Sequence, residues 1–304
     1  MYHYVRQYDK KFPYFRFLDI SDFRKQLDFF DNEFGFVSWK EWSEFYKFGN
    51  MPKISGKVIL TFDDAMSCHY EFVFKELVSR GLWGIFYVPT KPFIEGCVLD
   101  VHRIHLLCGC FQGFDLLGEA SKVVTEEMIS QEKIVEFRTK TYKHQNNYDG
   151  VSEFKRIMNY FINPRYKKLA LDSLCAKLSF NFDPLDFYIT IAQMLEMRNH
   201  NMIIGSHTHT HPVMSTLPSE QQECELKLSF DFLEKYHLND HKTYCHPYGG
   251  FHTFNNETLR LLNKHEVAYS FNVEHRQIEI KDWENSRQHL PRFDCNLFPH
   301  GKAS

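Results

Sequence analysis

The strongest constraint on the fold is a strand–helix–strand pattern over residues 57–88. Residues 57–62 form a short, β-branched apolar run after a glycine, which predicts a buried strand. Residues 70–80 have apolar side chains at helical spacing and end before Gly81, and residues 82–88 predict the next strand. Two strands joined by a helix run parallel in one sheet, so the pattern predicts an α/β fold with a parallel sheet or barrel.

Two adjacent carboxylates, Asp63 and Asp64, directly follow the first of these strands. In parallel α/β folds, catalytic groups lie where strands end on their carboxyl side. Taken alone, the pair also fits a turn followed by a helix cap. Its assignment to a functional site therefore depends on a second signal elsewhere in the chain.

That second signal is a run of three histidines, His207, His209 and His211, which follows the apolar residues 202–205. Imidazole is a common ligand of zinc and similar metal ions. In a continuing strand all three rings would share one face, whereas in a helical turn His209 would point away from the other two. Pro212 disfavours a regular helix, and a loop that brings only two rings together is a third alternative. Two histidines and one aspartate would meet the three protein ligands of a catalytic zinc site.

The domain organisation follows from where the alternation of strands and helices stops and resumes. Between about 91 and 186 the patterns are helical, and no strand comparable to the first two is predicted. Strands and helices alternate again from 189 to 293. We therefore predict one barrel domain over residues 1–304, interrupted by a helical insertion at about 91–186 that we interpret as a lid or a substrate wall.

Composition excludes several classes of protein. Lysine and arginine number 36 against 39 acidic residues, so no basic excess indicates a nucleic-acid partner. No run of about 18 apolar residues predicts a membrane span. The first residues lack the apolar core of a secretory signal, and the 8 cysteines are scattered, so a cytoplasmic location is expected. The oligomeric state is not predicted.

Three motifs resemble a known family. Thr61-Phe62-Asp63-Asp64 and His207-Thr208-x-x-His211-Pro212 are similar to the first two motifs of the polysaccharide deacetylases of the NodB-homology family, carbohydrate esterase family four. Pro247-Tyr248-Gly249 resembles part of the third motif, and the order is that of the family. The similarity reaches both chain ends, at residues 2–6 and 290–293, but does not cover the helical insertion. It implies an irregular (β/α)7 barrel.

The resemblance also implies roles for individual residues. Asp64, His207 and His211 would bind one divalent metal ion, expected to be zinc, and Asp63 would be the general base acting on metal-bound water. The backbone N–H of Tyr248 would hold the developing oxyanion. The protein is thus expected to be a metal-dependent carbohydrate N-deacetylase, which removes an N-acetyl group from an amino sugar or glycan precursor.

The sequence departs from the family motifs near the expected base. Ala65 stands where the family usually has a glycine, and Cys245 stands where it usually has an arginine. Another residue must then orient Asp63. Arg292 is the candidate, because a guanidinium can hold a carboxylate in a fixed geometry. The alternative for Arg292 is an ordinary surface ion pair.

The general acid is less well defined by the sequence. His300 resembles the family's general-acid histidine, but it follows Leu297 by one residue more than the motif requires. The alternative is a histidine in a frayed tail. Four other histidines compete for the role or for a place beside the site: His246, His289, His3 and His105.

Two other functions stay open besides deacetylation of a sugar. The same metal–water chemistry would serve a hydrolase of another acyl amide or of an acetyl ester. A non-catalytic glycan-binding relative is the second alternative, suggested by the missing arginine. The expected cytoplasmic location favours an N-acetylated precursor, such as a nucleotide-linked or lipid-linked sugar, over an exported polymer.

Overall fold

The structure of the protein is a computed structural model that describes residues 1–48, 56–143 and 150–303, with no side chains described for 139–143. The chain divides into two compact units. The barrel unit comprises Met1–Gln7, Phe17–Cys97 and Pro184–Ser304, and the helical unit comprises Tyr8–Arg16 and Val98–Asp183. The helical unit thus includes a segment near the amino terminus that the predicted insertion at about 91–186 did not contain.

Within the described residues the β-strands are β1 (Val5–Arg6), β2 (Leu18–Asp19), β3 (Leu60–Asp63), β4 (Gly84–Val88), β5 (Ile203–Ser206), β6 (Thr243–Cys245) and β7 (Tyr269–Phe271). The α-helices of the same residues are α1 (Ile20–Glu33), α2 (Trp39–Phe48), α3 (Lys75–Ser79), α4 (Lys91–Glu95), α5 (Asp100–Cys110), α6 (Gly113–Val123), α7 (Ile134–Lys143), α8 (Gly150–Arg156), α9 (Pro164–Lys177), α10 (Pro184–Phe187), α11 (Ile191–Asn199), α12 (Ser219–Lys235), α13 (Asn256–Lys264) and α14 (Ile280–Asn285). Helical turns of π type precede α3 at His69–Phe74 and follow α8 at Ile157–Phe161.

A parallel five-stranded sheet forms the centre of the barrel unit, in the order β3-β4-β5-β6-β7. Each strand pairs in parallel with the next, and every residue of β3, β4 and β5 is buried. Continuous burial is expected of parallel strands, since helices cover both faces of such sheets. All carboxyl ends of these strands therefore meet at one edge, as the sequence predicted.

Single backbone bridges extend this sheet at both edges. Tyr2 pairs in parallel with Phe62 of β3, and Leu290 pairs in parallel with Phe271 of β7. Together, the five strands and the two bridged segments give seven parallel strand positions. The Met1 nitrogen donates to the carbonyl of Phe293 at 2.7 Å, which joins the two edges. The predicted α/β fold with an irregular barrel of the NodB-homology type is confirmed.

Several predicted elements differ in type or length. The predicted helix over 70–80 begins as a π turn, and the strand predicted at 290–293 is reduced to the bridge at Leu290. The described part of the helical unit contains α6, which the sequence did not predict. Two glycines explain its position: a Cβ on Gly113 would lie 2.6 Å from the backbone of α8, and one on Gly150 would lie 2.3 Å from α6. These glycines weaken the helical pattern in the sequence, but they let the two helices pack closely.

The helical unit has an apolar core of its own, formed by α5, α6, α8 and α9 and including Leu107, Leu116, Phe154 and Phe161. No helix in the described ranges is both long enough and apolar enough to cross a membrane.

Candidate metal centre

The first part of the site is the sharp turn at the end of β3. Asp63 is the last residue of β3, and Asp64 and Ala65 follow with φ of 84° and 55°. The backbone N–H of Asp64 donates to the carbonyl of Tyr87 at 3.0 Å, which fixes the turn against β4. Both residues occupy the left-handed region, where glycine is the least strained residue. This explains why the family motif has glycine where this chain has the buried Ala65.

The histidine stretch forms a loop after β5, which is the third of the alternatives left open by the sequence. The N–H of His207 donates to the carbonyl of Val88 at 3.0 Å, and the chain then turns through left-handed φ values at Thr208 (66°) and His211 (60°). The Thr208 hydroxyl accepts a hydrogen bond from the N–H of His211 at 2.9 Å. Glu225 of α12 accepts hydrogen bonds from the backbone N–H groups of residues 209 and 210. The loop is therefore held from within and from α12.

These two turns bring Asp64, His207 and His211 together. The Oδ1 atom of Asp64 lies 3.6 Å from Nε2 of His207 and 3.4 Å from Nε2 of His211. All three residues are buried, and one donor atom from each lies within 4.8 Å of the others. Two imidazole nitrogens and one carboxylate oxygen are a donor set that fits a divalent cation such as zinc, and catalytic zinc sites commonly have three protein ligands.

The ring of His207 is oriented for this role. Its Nδ1 lies 2.8 Å from the carbonyl oxygen of Cys245 and donates to it, so that Nε2 presents a lone pair to Asp64 and His211. A backbone carbonyl that holds the other ring nitrogen is a common partner of metal-binding histidines. Burial lowers the pKa of His207, although the charges of Asp63 and Asp64 act in the opposite direction. The neutral ring is the form that a metal requires.

Asp63 is held by Arg292, as the sequence predicted. The guanidinium donates two hydrogen bonds to the carboxylate, from NH1 to Oδ1 at 2.9 Å and from NH2 to Oδ2 at 2.8 Å. Its Nε donates to the carbonyl of Asn272, and NH1 also donates to the Thr61 hydroxyl. Burial alone would raise the pKa of Asp63, but the charge and hydrogen bonds of Arg292 hold it well below its usual value. Both side chains are buried, so this is not a surface ion pair.

Cys245 belongs to the same cluster, and with Asp63 and His207 it forms a second group of close donor atoms. The guanidinium of Arg292 lies within this group, with NH2 2.9 Å from the sulfur of Cys245. A metal ion there would meet the positive charge of Arg292. Burial also raises the pKa of the Cys245 thiol, which favours the neutral form that binds metals poorly. The Asp64 group is therefore the better candidate, and we call it the candidate metal position.

His209 faces away from the metal position. Its Nδ1 lies 3.1 Å from the Thr90 hydroxyl, and its Nε2 lies 3.7 Å from Oε1 of Glu95. Its carbonyl accepts a hydrogen bond from the N–H of Lys91 at 3.0 Å. His209 thus joins the histidine loop to the loop after β4 and gives both a fixed position.

Tyr248 lies beside the metal position and His300 does not. The ring of Tyr248 packs edge-on against the ring of His211 at 4.8 Å between centroids, and its backbone has a φ of 61°. His300 is exposed and lines a surface pocket with Asp22, Phe298 and Lys302, which none of the other predicted site residues lines. The structure does not bring His300 to the group, and its role as general acid stays a prediction.

His246, one of the competing histidines in the barrel unit, is held by contacts with residues outside the metal position. Its Nε2 lies 2.7 Å from the carbonyl of Gln288, and its ring stacks on Phe254 at 4.0 Å. Burial lowers the pKa of His246 to about 3, so it is neutral. His3, in contrast, reaches the metal position: its Nε2 lies 3.9 Å from Oδ2 of Asp64.

His69 is a residue of the site region that the sequence reading missed. It is fully buried, and its Nε2 donates to the carbonyl of His3 at 2.6 Å. Burial lowers the pKa of His69 to about 4. A single histidine just before the helix predicted over 70–80 carries no signal of its own, and only the position of His3 in the resemblance at residues 2–6 could have indicated a partner for it.

Comparison with protein families agrees with this geometry. Residues 188–270 match the family model described as polysaccharide deacetylase, a range that contains His207, His211 and Tyr248. The resemblance recognised in the sequence is thereby confirmed. A search of curated proteins found no match.

Solved structures of deacetylases have a similar fold. The deacetylase PplD from Streptococcus pyogenes, in complex with acetate, has a TM-score of 0.55 at 16% identity, with 96% of this chain and 89% of that chain covered. A de-N-acetylase from Aggregatibacter actinomycetemcomitans has a TM-score of 0.52 at 13% identity, with 96% and 92% covered. A polysaccharide deacetylase from Bacillus cereus has a TM-score of 0.55 at 13% identity, with 96% and 62% covered. Identities this low show the fold alone, and together with the family model they support a deacetylase activity.

Proposed function

We propose that this protein is a metal-dependent hydrolase that removes an N-acetyl group from an amino sugar or glycan precursor. The observation that carries the proposal is the buried group of Asp64, His207 and His211 beside the ion pair of Asp63 and Arg292. Hydrolysis of an amide at neutral pH needs an activated water and a base close to it. The group of Asp64, His207 and His211 would hold the cation that activates the water, and Asp63 would be the base.

Asp63 is the base in this proposal. Arg292 keeps its carboxylate ionised and fixes its plane through the two hydrogen bonds. Each carboxylate oxygen has a second lone-pair site, so Asp63 can still accept a proton from a water molecule. Because Asp63 and Asp64 are consecutive, the base and the metal ligand keep a fixed distance from each other.

Asp64, His207 and His211 would hold the cation, for which we propose zinc. When bound, such a cation would lower the pKa of a water molecule and polarise the acetyl carbonyl. The backbone N–H of Tyr248 would bind the oxygen of the acetyl group as negative charge develops on it, in keeping with the position of Tyr248 beside His211. The N–H of a fixed turn stabilises such charge without having to reorient.

Two exposed aromatic rings in the loop after β6, of which Tyr248 packs on His211, support a carbohydrate substrate. Tyr248 is 50% exposed and Phe251, three residues later, is 55% exposed. Their loop is fixed, because Val273 N–H donates to Gly249 at 2.8 Å and the Ser215 hydroxyl donates to the carbonyl of His252 at 2.6 Å. Rigid aromatic surfaces with a few polar groups are typical of small-molecule sites. We propose that the apolar face of a sugar ring packs on them.

The proposal can be tested with a panel of N-acetylated sugars, sugar nucleotides and oligosaccharides. Protein loaded with Zn²⁺ is incubated with each compound, and loss of one acetyl group is measured by mass spectrometry together with released acetate. We expect at least one N-acetyl compound to be deacetylated by the wild type and not by Asp63→Asn. The Arg260→Ala variant, which alters an exposed ion pair with Glu257, is the matched control and should retain the rate.

With O-acetylated sugars added, the same panel also separates the two alternative functions. Acetate release from O-acetyl compounds alone would reject the amide substrate in favour of an ester. Binding of a saccharide without acetate release from any compound, unchanged in Asp63→Asn, would reject the enzyme in favour of a glycan-binding protein. The cytoplasmic location expected from the sequence stays a prediction.

A further inference from the structure

His3 is a titratable side chain that approaches the metal position from another segment of the barrel unit, with its Nε2 3.9 Å from Oδ2 of Asp64. It lies in the segment before β1, and its backbone is fixed beside β3. The Tyr2 N–H donates to Thr61 O at 2.9 Å, and the Asp63 N–H donates to Tyr2 O at 3.0 Å. His69 adds a third anchor by donating to the carbonyl of His3 at 2.6 Å.

The three anchors act on the backbone, and the imidazole of His3 is partly exposed. Its side chain is 42% exposed, whereas that of Asp64 is 5% exposed. The His69 anchor is buried, because the side chain of His69 is fully enclosed. The fixed backbone keeps the imidazole within reach of Asp64.

That neighbour is the oxygen of Asp64 that does not face the other histidines. His207 and His211 approach Oδ1, at 3.6 and 3.4 Å, whereas His3 approaches Oδ2, at 3.9 Å. The separation at His3 is longer than a hydrogen bond, and a small rotation of the ring would close it. A carboxylate with one oxygen held by an N–H donor offers the other oxygen to a cation in a fixed direction.

We propose that His3 is a positioning residue of the metal centre, which holds Oδ2 of Asp64 so that Oδ1 points to the cation between His207 and His211. The inference deepens the proposed function by adding a residue that acts on the metal ligand and not on the substrate. Loss of such a partner typically weakens metal binding by about 10- to 100-fold. Because the contact is long, we expect the lower end, about tenfold, for His3→Ala.

The test measures metal binding directly, without substrate. Zn²⁺ affinity is determined by competition with a chromophoric chelator, and Co²⁺ is used as a spectroscopic probe of coordination geometry, for wild type, His3→Ala and His3→Gln. We expect the alanine variant to lose about tenfold in affinity and to show an altered Co²⁺ spectrum. The glutamine variant should recover most of both, because its amide N–H can occupy the place of the imidazole Nε2–H.

His237→Asn is the matched control. His237 is exposed and lies between the end of α12 and the start of β6. It is therefore on the side of the amino ends of the strands, whereas the metal position lies at their carboxyl ends. Its φ of 54° is one that asparagine tolerates. This variant should bind Zn²⁺ and Co²⁺ as the wild type does, and circular dichroism establishes that each variant is folded.

Equal affinities and spectra for wild type and a folded His3→Ala would overturn the role of His3, as would a glutamine variant no better than alanine. If His3→Ala does not fold, His3→Leu takes its place as the variant without an N–H donor, and the same comparison with wild type and His3→Gln decides. A wild type that binds neither ion would overturn both the inference and the metal centre. A wild type that binds Zn²⁺ but deacetylates nothing would overturn the proposed function alone.

Discussion

The ion pair of Arg292 and Asp63 gives the sharpest quantitative prediction. Replacing Arg292 by methionine preserves much of the apolar stem but removes five hydrogen bonds, among them the two to the carboxylate. The variant would leave Asp63 as a charged group that is 2% exposed and has lost its cation. We expect this single change to be strongly destabilising at neutral pH.

The magnitude follows from the burial of both partners. Two unit charges about 4 Å apart attract by about 4 kcal/mol at an effective dielectric constant of about 20. Removing one partner of a buried pair costs about 3–5 kcal/mol, because the other charge stays desolvated. Replacing both partners is milder, since no uncompensated charge remains. The double variant Arg292→Met with Asp63→Asn should therefore be less destabilised than the sum of its two single changes, by about 2–3 kcal/mol.

The assay is urea unfolding of wild type, both single variants and the double variant at neutral pH, without added metal ions. A second cycle on Arg260 and Glu257 is the control. That pair has the same two-bond geometry, with both bonds at 2.7 Å, but lies exposed on α13. Its coupling should be much smaller than that of the buried pair, because solvent screens exposed charges.

The reasoning is refuted if the two single changes at Asp63 and Arg292 are additive within about 0.5 kcal/mol, the range found for independent sites. It is also refuted if the exposed pair couples as strongly as the buried one. Both results would mean that burial does not govern the interaction, and the structural argument that Arg292 keeps the base ionised would fail with it.

Three further outcomes are expected. A chelator should abolish acetate release, and added Zn²⁺ should restore it, in the mass-spectrometric assay. Phe251→Ala should raise KM for an oligosaccharide about fivefold, corresponding to about 1 kcal/mol, without changing Zn²⁺ affinity, and an unchanged KM would remove Phe251 from the substrate site. Burial lowers the pKa of His69 to about 4, so the unfolded state binds more protons below about pH 6.5, and stability should fall by up to about 3 kcal/mol as pH falls from about 6.5 to about 4. Urea midpoints over that range should show this loss, and His69→Asn should show less of it.

The sequence was most informative where local pattern and fold agree. The buried strands ending at Asp63 and before His207 were predicted from apolar runs of the right length, and both are strands in the structure. Regular α/β connections then force their carboxyl ends to one edge. Elements that depend on tertiary contact were harder to predict. Helix α6 begins at a glycine whose purpose is the close approach of α8, and no pattern within its own residues reveals that.

The conformation of the histidine loop could not be predicted from the sequence for a related reason, because it too depends on a contact with a distant residue. Periodicity arguments compare strands with helices, whereas this loop has left-handed residues at Thr208 and His211 and depends on Glu225, a residue of a later helix. The resemblance to the deacetylase motifs selected His207 and His211 as the pair, and the structure brings those two to Asp64. The pairing thus came from a family motif, and the physical reason for it became visible only with the turn.

In this chain the positive charge beside Asp63 comes from Arg292 and not from the motif position, where Cys245 stands. Cys245, at the end of β6, carries no positive charge: its thiol lies 3.6 Å from Oδ2 of Asp63, and its sulfur accepts a hydrogen bond from Arg292. Arg292 comes from the segment that extends the sheet beyond β7, and its guanidinium reaches the carboxylate of Asp63 at the end of β3. A barrel allows this exchange because all its strand ends surround one centre. A missing motif residue in such a fold is therefore weak evidence against activity until the side chains from the other strand ends have been placed.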